Sequence, residues 1–343
     1  MSSRGFDLST AHSVRPAFAL ARLRRQFHAG PLPGEPTGAT FANIADSRVH
    51  YVDRGVGQAV VLMHGFGSSL EVWNELVPEL ARGHRVIAVD LKGFGWTDRP
   101  EGDYSPSAQA EMVWALLDHL EVRRAALVGH SWGASVALAM ALSAPKRTTR
   151  IALYAAWAYE EQLSYSFRWA RIDGVGESLM GLYDPALIRG QMATAFFDAS
   201  YVTARRVRDV QTAMALPGAG AAALATMRGM RFTAQQARYS SLRLPSLVLW
   251  GQQDRISTTA FGQRLAADLG ATLIMFPRCG HFPMLEAEEA SSLALACFLR
   301  SDSGKRAYGQ TLLRWGLWWA ALFRGLLSRL WPRRPWRRRA PRR

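Results

Sequence analysis

Short apolar runs alternate with helix-like stretches between residues 60 and 154, and this pattern restricts the fold more than any other feature of the chain. Val60-Val61-Leu62-Met63 and Val86-Ile87-Ala88-Val89 are apolar throughout, as are residues 125–128 and 151–154. A strand with one wet face alternates polar with apolar, whereas a run without polar positions is covered on both sides. Residues 71–81, 107–120 and 134–143 read as the helices between these strands. The succession predicts an α/β fold, with a mostly parallel central sheet covered by helices on both faces. Residues 48–52 partly alternate and predict a half-exposed antiparallel strand ahead of it. After a long gap the pattern resumes with strands at 247–250 and 273–276 and helices at 259–269 and 286–299.

The gap, residues 157–243, is rich in aromatics, methionines and arginines but has no buried-strand pattern. It is too long for a structureless loop, so it predicts a helical cap inserted in the sheet order. The expected organisation is an N-terminal extension (1–39), a first part of the core (40–156), the cap (157–243), a second part of the core (244–300) and a C-terminal tail (301–343). Three prolines and two glycines in residues 30–36 mark the end of the extension. With 343 residues and a hydrophobic fraction of 49%, the chain has material for one large core. Its two cysteines, Cys279 and Cys297, exclude a disulfide scaffold and are expected as unpaired buried thiols, which suits a reducing compartment. The apolar segment 16–23 is short and broken at its far end by Arg22, Arg24 and Arg25. No export signal is read there, and a cytoplasmic protein is expected.

Gly129-His130-Ser131-Trp132-Gly133 has the G-x-S-x-G spacing. Such a match arises by chance in roughly one chain in ten of this length, so its context decides. It follows the run 125–128 and opens the helix 134–143. A sharp strand-to-helix turn needs small neighbours, lifts the serine Oγ out of the sheet and sets it at a helix N-terminus. The plainer alternative is a serine helix cap in a glycine-rich turn. A serine hydroxyl also needs a base within hydrogen-bond reach. His281, in Cys279-Gly280-His281-Phe282-Pro283, sits in the loop after the last predicted strand, whereas the other histidines lie in strands, in helices, near the N-terminus or beside the serine. Asp254, in Gly251-Gln252-Gln253-Asp254, follows the strand 247–250 and is placed to accept the imidazole Nδ1–H. Glu160 is the reserve acid. His64-Gly65-Phe66-Gly67 follows the strand 60–63, and its glycines permit close backbone approach. The amides of Phe66 and Trp132 are the candidate oxyanion donors, with His64, Gly65, Gly67 and His130 in support. The loop Asp90 to Pro100 is read as packing beneath the site. No metal-ligand spacing and no dinucleotide fingerprint occurs, so neither metal nor cofactor is expected.

These motifs, in the order nucleophile, acid, histidine, resemble the α/β-hydrolase fold family over about residues 40–300. Relatives with dehalogenase or epoxide hydrolase activity carry an aspartate at the position of Ser131. The resemblance therefore points to the serine branch: esterases, lipases, C–C bond hydrolases and cofactor-free perhydrolases. It implies a small-molecule acyl substrate, with a non-catalytic ligand-binding member as the alternative of another class.

Formal net charge is +15, and residues 301–343 hold twelve of the 42 basic residues but one of the 27 acids. The tail thus carries +11 and residues 1–300 carry +4. At helical spacing, Leu312, Trp315, Trp319, Phe323, Leu326, Leu327 and Leu330 share one face, and an arginine-rich run follows. An anionic membrane surface is the expected partner of residues 311–343, ahead of docking on the protein itself or of nucleic acid.

Overall fold

The computed structural model describes residues 27–182 and 184–300. The chain divides into two units, residues 1–295 and 296–343, and the sheet and the site lie in the first. Most of the expected N-terminal extension and the whole tail 301–343 lie outside the described residues.

Eight strands form one sheet in the order β1-β2-β4-β3-β5-β6-β7-β8. They are β1 (Thr40–Ile44), β2 (Ser47–Arg54), β3 (Ala59–Met63), β4 (Arg85–Val89), β5 (Ala125–His130), β6 (Thr148–Tyr154), β7 (Ser246–Gly251) and β8 (Thr272–Phe276). β2 runs antiparallel to both β1 and β4, and the pairings from β4 through β3, β5, β6 and β7 to β8 are parallel. The sheet is therefore mostly parallel, as the apolar runs imply. All residues of β3, β5 and β7 are buried, which is why those segments lack alternation.

The first helical segment differs from expectation. Residues 71–81 do not form one helix but a 3-10 turn, Leu70–Trp73, followed by α1 (Leu76–Leu80). Pro78 has no N–H to offer and its ring would clash with the carbonyl four residues back, so the helix starts afresh with Pro78 in its first turn. The next two, α2 (Pro106–His119) and α3 (Trp132–Ser143), match their predicted positions to within two residues. α3 is buried from Trp132 to Leu142 and apolar on every side, as a helix in the centre of a molecule must be.

Between β6 and β7 the described residues form no strand. They form α4 (Tyr165–Ala170), α5 (Val175–Gly181), α6 (Ile188–Ala195), α7 (Ala204–Ala215), α8 (Ala219–Gly229) and α9 (Thr233–Gln236). Then come α10 (Thr259–Leu269), α11 (Pro283–Glu286) and α12 (Glu288–Arg300). The closing helix expected at 286–299 is α12, and the short α11 ahead of it was not expected; the two part at Ala287, whose φ of −125° and ψ of 43° leave the helical region. Cys279 is buried and Cys297 only half-buried, and both are free thiols. Residues 27–39 are fastened to the core: His28 and Arg99 exchange backbone hydrogen bonds of 2.9 and 2.7 Å, and Leu32 is buried. Among the described residues no helix is long and apolar enough to cross a membrane.

Candidate active site

Parallel strands bring their carboxyl ends to one edge of a sheet, and loops leaving that edge converge. Met63 pairs with Gly129, and His130 with Tyr154, so the loop after β3 and the turn after β5 leave from adjacent strands. Ser131 occupies the turn between β5 and α3 with φ 51° and ψ −117°, a conformation that L-residues rarely adopt. The turn closes only because its flanks are glycine. A Cβ on Gly133 would lie 2.3 Å from the carbonyl oxygen of His64, and one on Gly129 would lie 2.4 Å from that of Gly133. Those obstacles are backbone and cannot swing aside.

The loops after β7 and β8 bring the other two residues to the serine. Ser131 Oγ donates to His281 Nε2 at 2.9 Å. His281 Nδ1–H donates to Asp254 Oδ2 at 2.8 Å. The second oxygen of Asp254 accepts from the amides of Ile256 and Ser257 at 2.8 and 2.9 Å, which fixes the carboxylate plane. All three residues are buried. This chain of contacts can take a proton from the serine hydroxyl, hold the resulting imidazolium against a carboxylate and return the proton to a leaving group.

Glu160 is not part of it. Its carboxylate pairs with Arg171 and accepts from the amide of Phe232 at 3.1 Å. Burial would raise its pKa, but those two partners hold it below the usual carboxylate value.

Two backbone N–H groups stand free beside the serine. The amides of Phe66 and Trp132 have no acceptor among the described residues. Trp132 opens α3, where amides lack intrahelical partners. Gly65 lets the Phe66 loop approach: a Cβ there would lie 3.1 Å from Ser131 Cβ and 3.0 Å from His130 Nδ1. Gly67 turns the loop away with φ 68°. His64 supports it from below, donating from Nδ1 to the Gly65 carbonyl at 2.8 Å and accepting at Nε2 from the Leu91 amide at 3.0 Å. Burial lowers its pKa, against the opposing pull of Asp90, so it stays neutral. Asp90 in turn takes His50, Leu70 and Trp96 as donors at 2.7, 2.7 and 2.9 Å. Burial alone would raise its pKa, but His50 and the other donors hold it below the usual range. Asp90 thus ties β2 and the 90–100 loop to the floor of the site.

His130 donates from Nε2 to the carbonyl of His281 at 2.9 Å, and its buried Nδ1 has no partner among the described residues. Burial and the neighbouring His281 push its pKa well down, which keeps it neutral. Aromatic rings wall the site. Phe66 packs on Phe94 and on Phe167 of α4, at 5.6 and 5.3 Å between centroids, and Phe167 packs on Trp157 at 5.1 Å. On the histidine side, Phe282 stacks on Phe196 at 4.8 Å.

One residue at this edge carries no motif of its own in the sequence. Glu286, the last residue of α11, accepts from the amides of Gly280, Phe197 and Asp198. Its partners lie up to 89 residues away, so no local pattern announces it. Among the described residues there is no group of three or more histidines, cysteines or acids placed to hold a metal ion.

The comparisons with known proteins agree with this architecture. The family model for the alpha/beta hydrolase fold matches residues 58–288. A 2-hydroxy-6-oxo-2,4-heptadienoate hydrolase of Pseudomonas putida is 32% identical over 263 residues, which is 73% of this chain and 92% of that one. A meta-cleavage product hydrolase from Pseudomonas fluorescens superposes with a TM-score of 0.67 at 26% identity, over 76% of this chain and 97% of its own. A thermophilic esterase from Thermogutta terrifontis superposes with a TM-score of 0.64 at 25% identity, over 76% and 97%. With a parallel sheet of this order, a serine at the sharp turn after β5 and a family match across most of its described length, the chain belongs to the alpha/beta hydrolase fold family and is a hydrolase.

Proposed function

We propose that the protein is a serine hydrolase that cleaves an ester or related acyl bond of an apolar small molecule through an acyl-enzyme. The observation that carries this reading is the unbroken chain from Ser131 Oγ through both nitrogens of His281 to Asp254. In the first half-reaction Ser131 Oγ attacks the carbonyl carbon as its proton passes to His281 Nε2. The oxyanion is held by the N–H groups of Phe66 and Trp132. Collapse breaks the bond to the leaving alcohol, which takes the proton from His281. Water, deprotonated by the same nitrogen, then attacks the acyl carbon, and the acid leaves as Ser131 recovers its proton. The rings of Phe66, Phe94, Trp157 and Phe167 favour an apolar acyl group, and α4 to α9 serve as the cap that closes over it.

The Pseudomonas relatives, one named a 2-hydroxy-6-oxo-2,4-heptadienoate hydrolase and the other a meta-cleavage product hydrolase, favour a second reading, in which the same three residues cleave a C–C bond. One experiment separates the two and tests the first. The unsubstituted protein is assayed on p-nitrophenyl esters and on vinylogous diketones, and Ser131 is mapped with a fluorophosphonate probe. Ester turnover and probe label at Ser131, both lost in Ser131→Ala with the fold intact, are the expected result. Turnover of the diketones alone promotes the C–C reading, and undiminished labelling of Ser131→Ala removes Ser131 from its role.

A further inference from the structure

His281 is held by its backbone as well as by its ring. Its N–H donates to the carbonyl of Ala195, at the end of α6, at 2.7 Å. Its carbonyl accepts from His130 Nε2 at 2.9 Å, on the other side of the loop. Gly280, just before it, has no room for a side chain: a Cβ would lie 2.5 Å from the Ala195 carbonyl oxygen and 2.8 Å from the Phe197 nitrogen. The helical region between β6 and β7 therefore lies directly against the main chain of the histidine loop. Residues 195–198 form a strap across that loop, and one side chain fastens it. Glu286 Oε2 accepts from Gly280 N–H at 2.7 Å, while Oε1 accepts from Phe197 N–H at 2.7 Å and Asp198 N–H at 3.0 Å. Phe196, between the strapped residues, stacks on Phe282 with ring planes 15° apart. Around that stack, Ile188, Val202 and Val207 are buried with Phe196 in a small apolar cluster separate from the main core.

We infer that Glu286 is a positioning residue: it binds the strap at 195–198 to the Gly280–His281 backbone, so that closure of the helical region sets His281 Nε2 at hydrogen-bond distance from Ser131 Oγ. This rests on the serine-hydrolase reading and adds a coupling to it. The bridge is a charge-capable acceptor on three amides, stronger than a single neutral contact. The apolar cluster beneath is small, so the strap depends on the carboxylate for its register. When the strap lifts, the His281 N–H loses Ala195, and of its two main-chain contacts the residue keeps the one from His130. The imidazole then loses its registration on the serine. Small displacements of a catalytic group are costly, since a shift of about 1 Å can lower a rate by about 10²-fold.

The test compares the full-length protein with Glu286→Ala, Glu286→Gln and Gly280→Ala, reading the rate of fluorophosphonate labelling at Ser131, kcat and KM on a p-nitrophenyl ester, and thermal melting. Glu286→Ala is expected to label and turn over ~10- to 100-fold more slowly, with KM nearly unchanged and the main melting transition retained. Glu286→Gln, which keeps a carbonyl oxygen for one side of the bridge, is expected to recover part of the loss. Gly280→Ala, which pushes the strap away from the opposite side, is expected to reproduce it. Labelling of Glu286→Ala at the unsubstituted rate overturns the assignment. So does a loss that tracks a lowered melting temperature and that Glu286→Gln leaves unrepaired. If the unsubstituted protein takes no label at Ser131, the serine reading itself fails and this one with it. Label on the unsubstituted protein without an effect at Glu286 removes this one alone.

Discussion

At the scale of single residues the candidate site holds its serine in a strained turn. Ser131 holds φ 51° and ψ −117°, and only the fold around it keeps it there. A residue held in such a conformation costs about 1–3 kcal/mol, and glycine adopts positive φ without that cost. Ser131→Gly should therefore be inactive yet more stable than the unsubstituted protein, by ~1–2 kcal/mol in reversible denaturant unfolding. Ser131→Ala should be inactive without the gain, because alanine keeps the Cβ. Equal stability of the glycine and alanine variants would show that the turn carries no strain to release. The two glycines flanking the turn behave in the opposite sense, since any Cβ at 129 or 133 meets backbone within 2.4 Å. The small residues of the motif are thus a steric requirement of the turn, and the strain falls on the serine between them.

At the scale of elements, the sheet sets the positions of loop ends and the helical region between β6 and β7 sets what can reach them. Phe167 of α4 touches both Phe66, which follows β3, and Trp157, which follows β6. On the proposed reading we expect it to contribute to binding the acyl group and not to activating the serine. Each aromatic contact is worth about 0.5–1.5 kcal/mol, so Phe167→Ala should raise KM for an apolar ester by roughly three- to tenfold with kcat little changed. A fall in kcat at constant KM would place Phe167 in the catalytic step instead. The strands were legible because burial on both faces writes a continuous apolar run, as in residues 60–63 and 247–250; their order in the sheet was not, because pairing joins segments far apart in the chain. Ser131, Asp254 and His281 were legible because each sits at the carboxyl end of such a run. Pro78 was a visible signal for the break after Trp73 that a reading based on apolar spacing alone passed over. The region from α4 to α9 was legible as a helical insert but not helix by helix, since most of its helices are short and its apolar residues are in part exposed, among them Trp169, Ile172 and Leu182. Glu286 was not legible at all. Its meaning comes from amides at 197, 198 and 280, and contacts across such separations are made by the tertiary fold.

At the scale of the whole chain, charged and apolar residues are distributed unevenly along the sequence, and the unevenness bears on where a hydrolase of apolar substrates would work. Residues 1–300 carry +4 and the tail 301–343 carries +11. In the tail, tryptophans and leucines recur at helical spacing through Leu330, and Arg333, Arg334, Arg337, Arg338 and Arg339 follow. Either signal alone gives weak, reversible attachment to a bilayer, but apolar insertion and attraction to anionic headgroups add. Each arginine near an anionic leaflet contributes about 1 kcal/mol, and that contribution is screened by salt. We therefore expect residues 311–343 to hold the protein on anionic membrane surfaces, where an apolar ester is concentrated. In liposome flotation, the full chain should rise with vesicles containing phosphatidylserine, should be released as salt increases and should bind neutral vesicles poorly. A chain ending at Ser303 should stay in the dense fraction and keep its activity on a soluble p-nitrophenyl ester. Equal flotation of both chains, or binding indifferent to anionic lipid and to salt, would rule the surface out. Salt-sensitive binding of duplex DNA by the full chain alone would assign the arginines to nucleic acid, because phosphate contacts made by a polybasic segment carry the same salt signature.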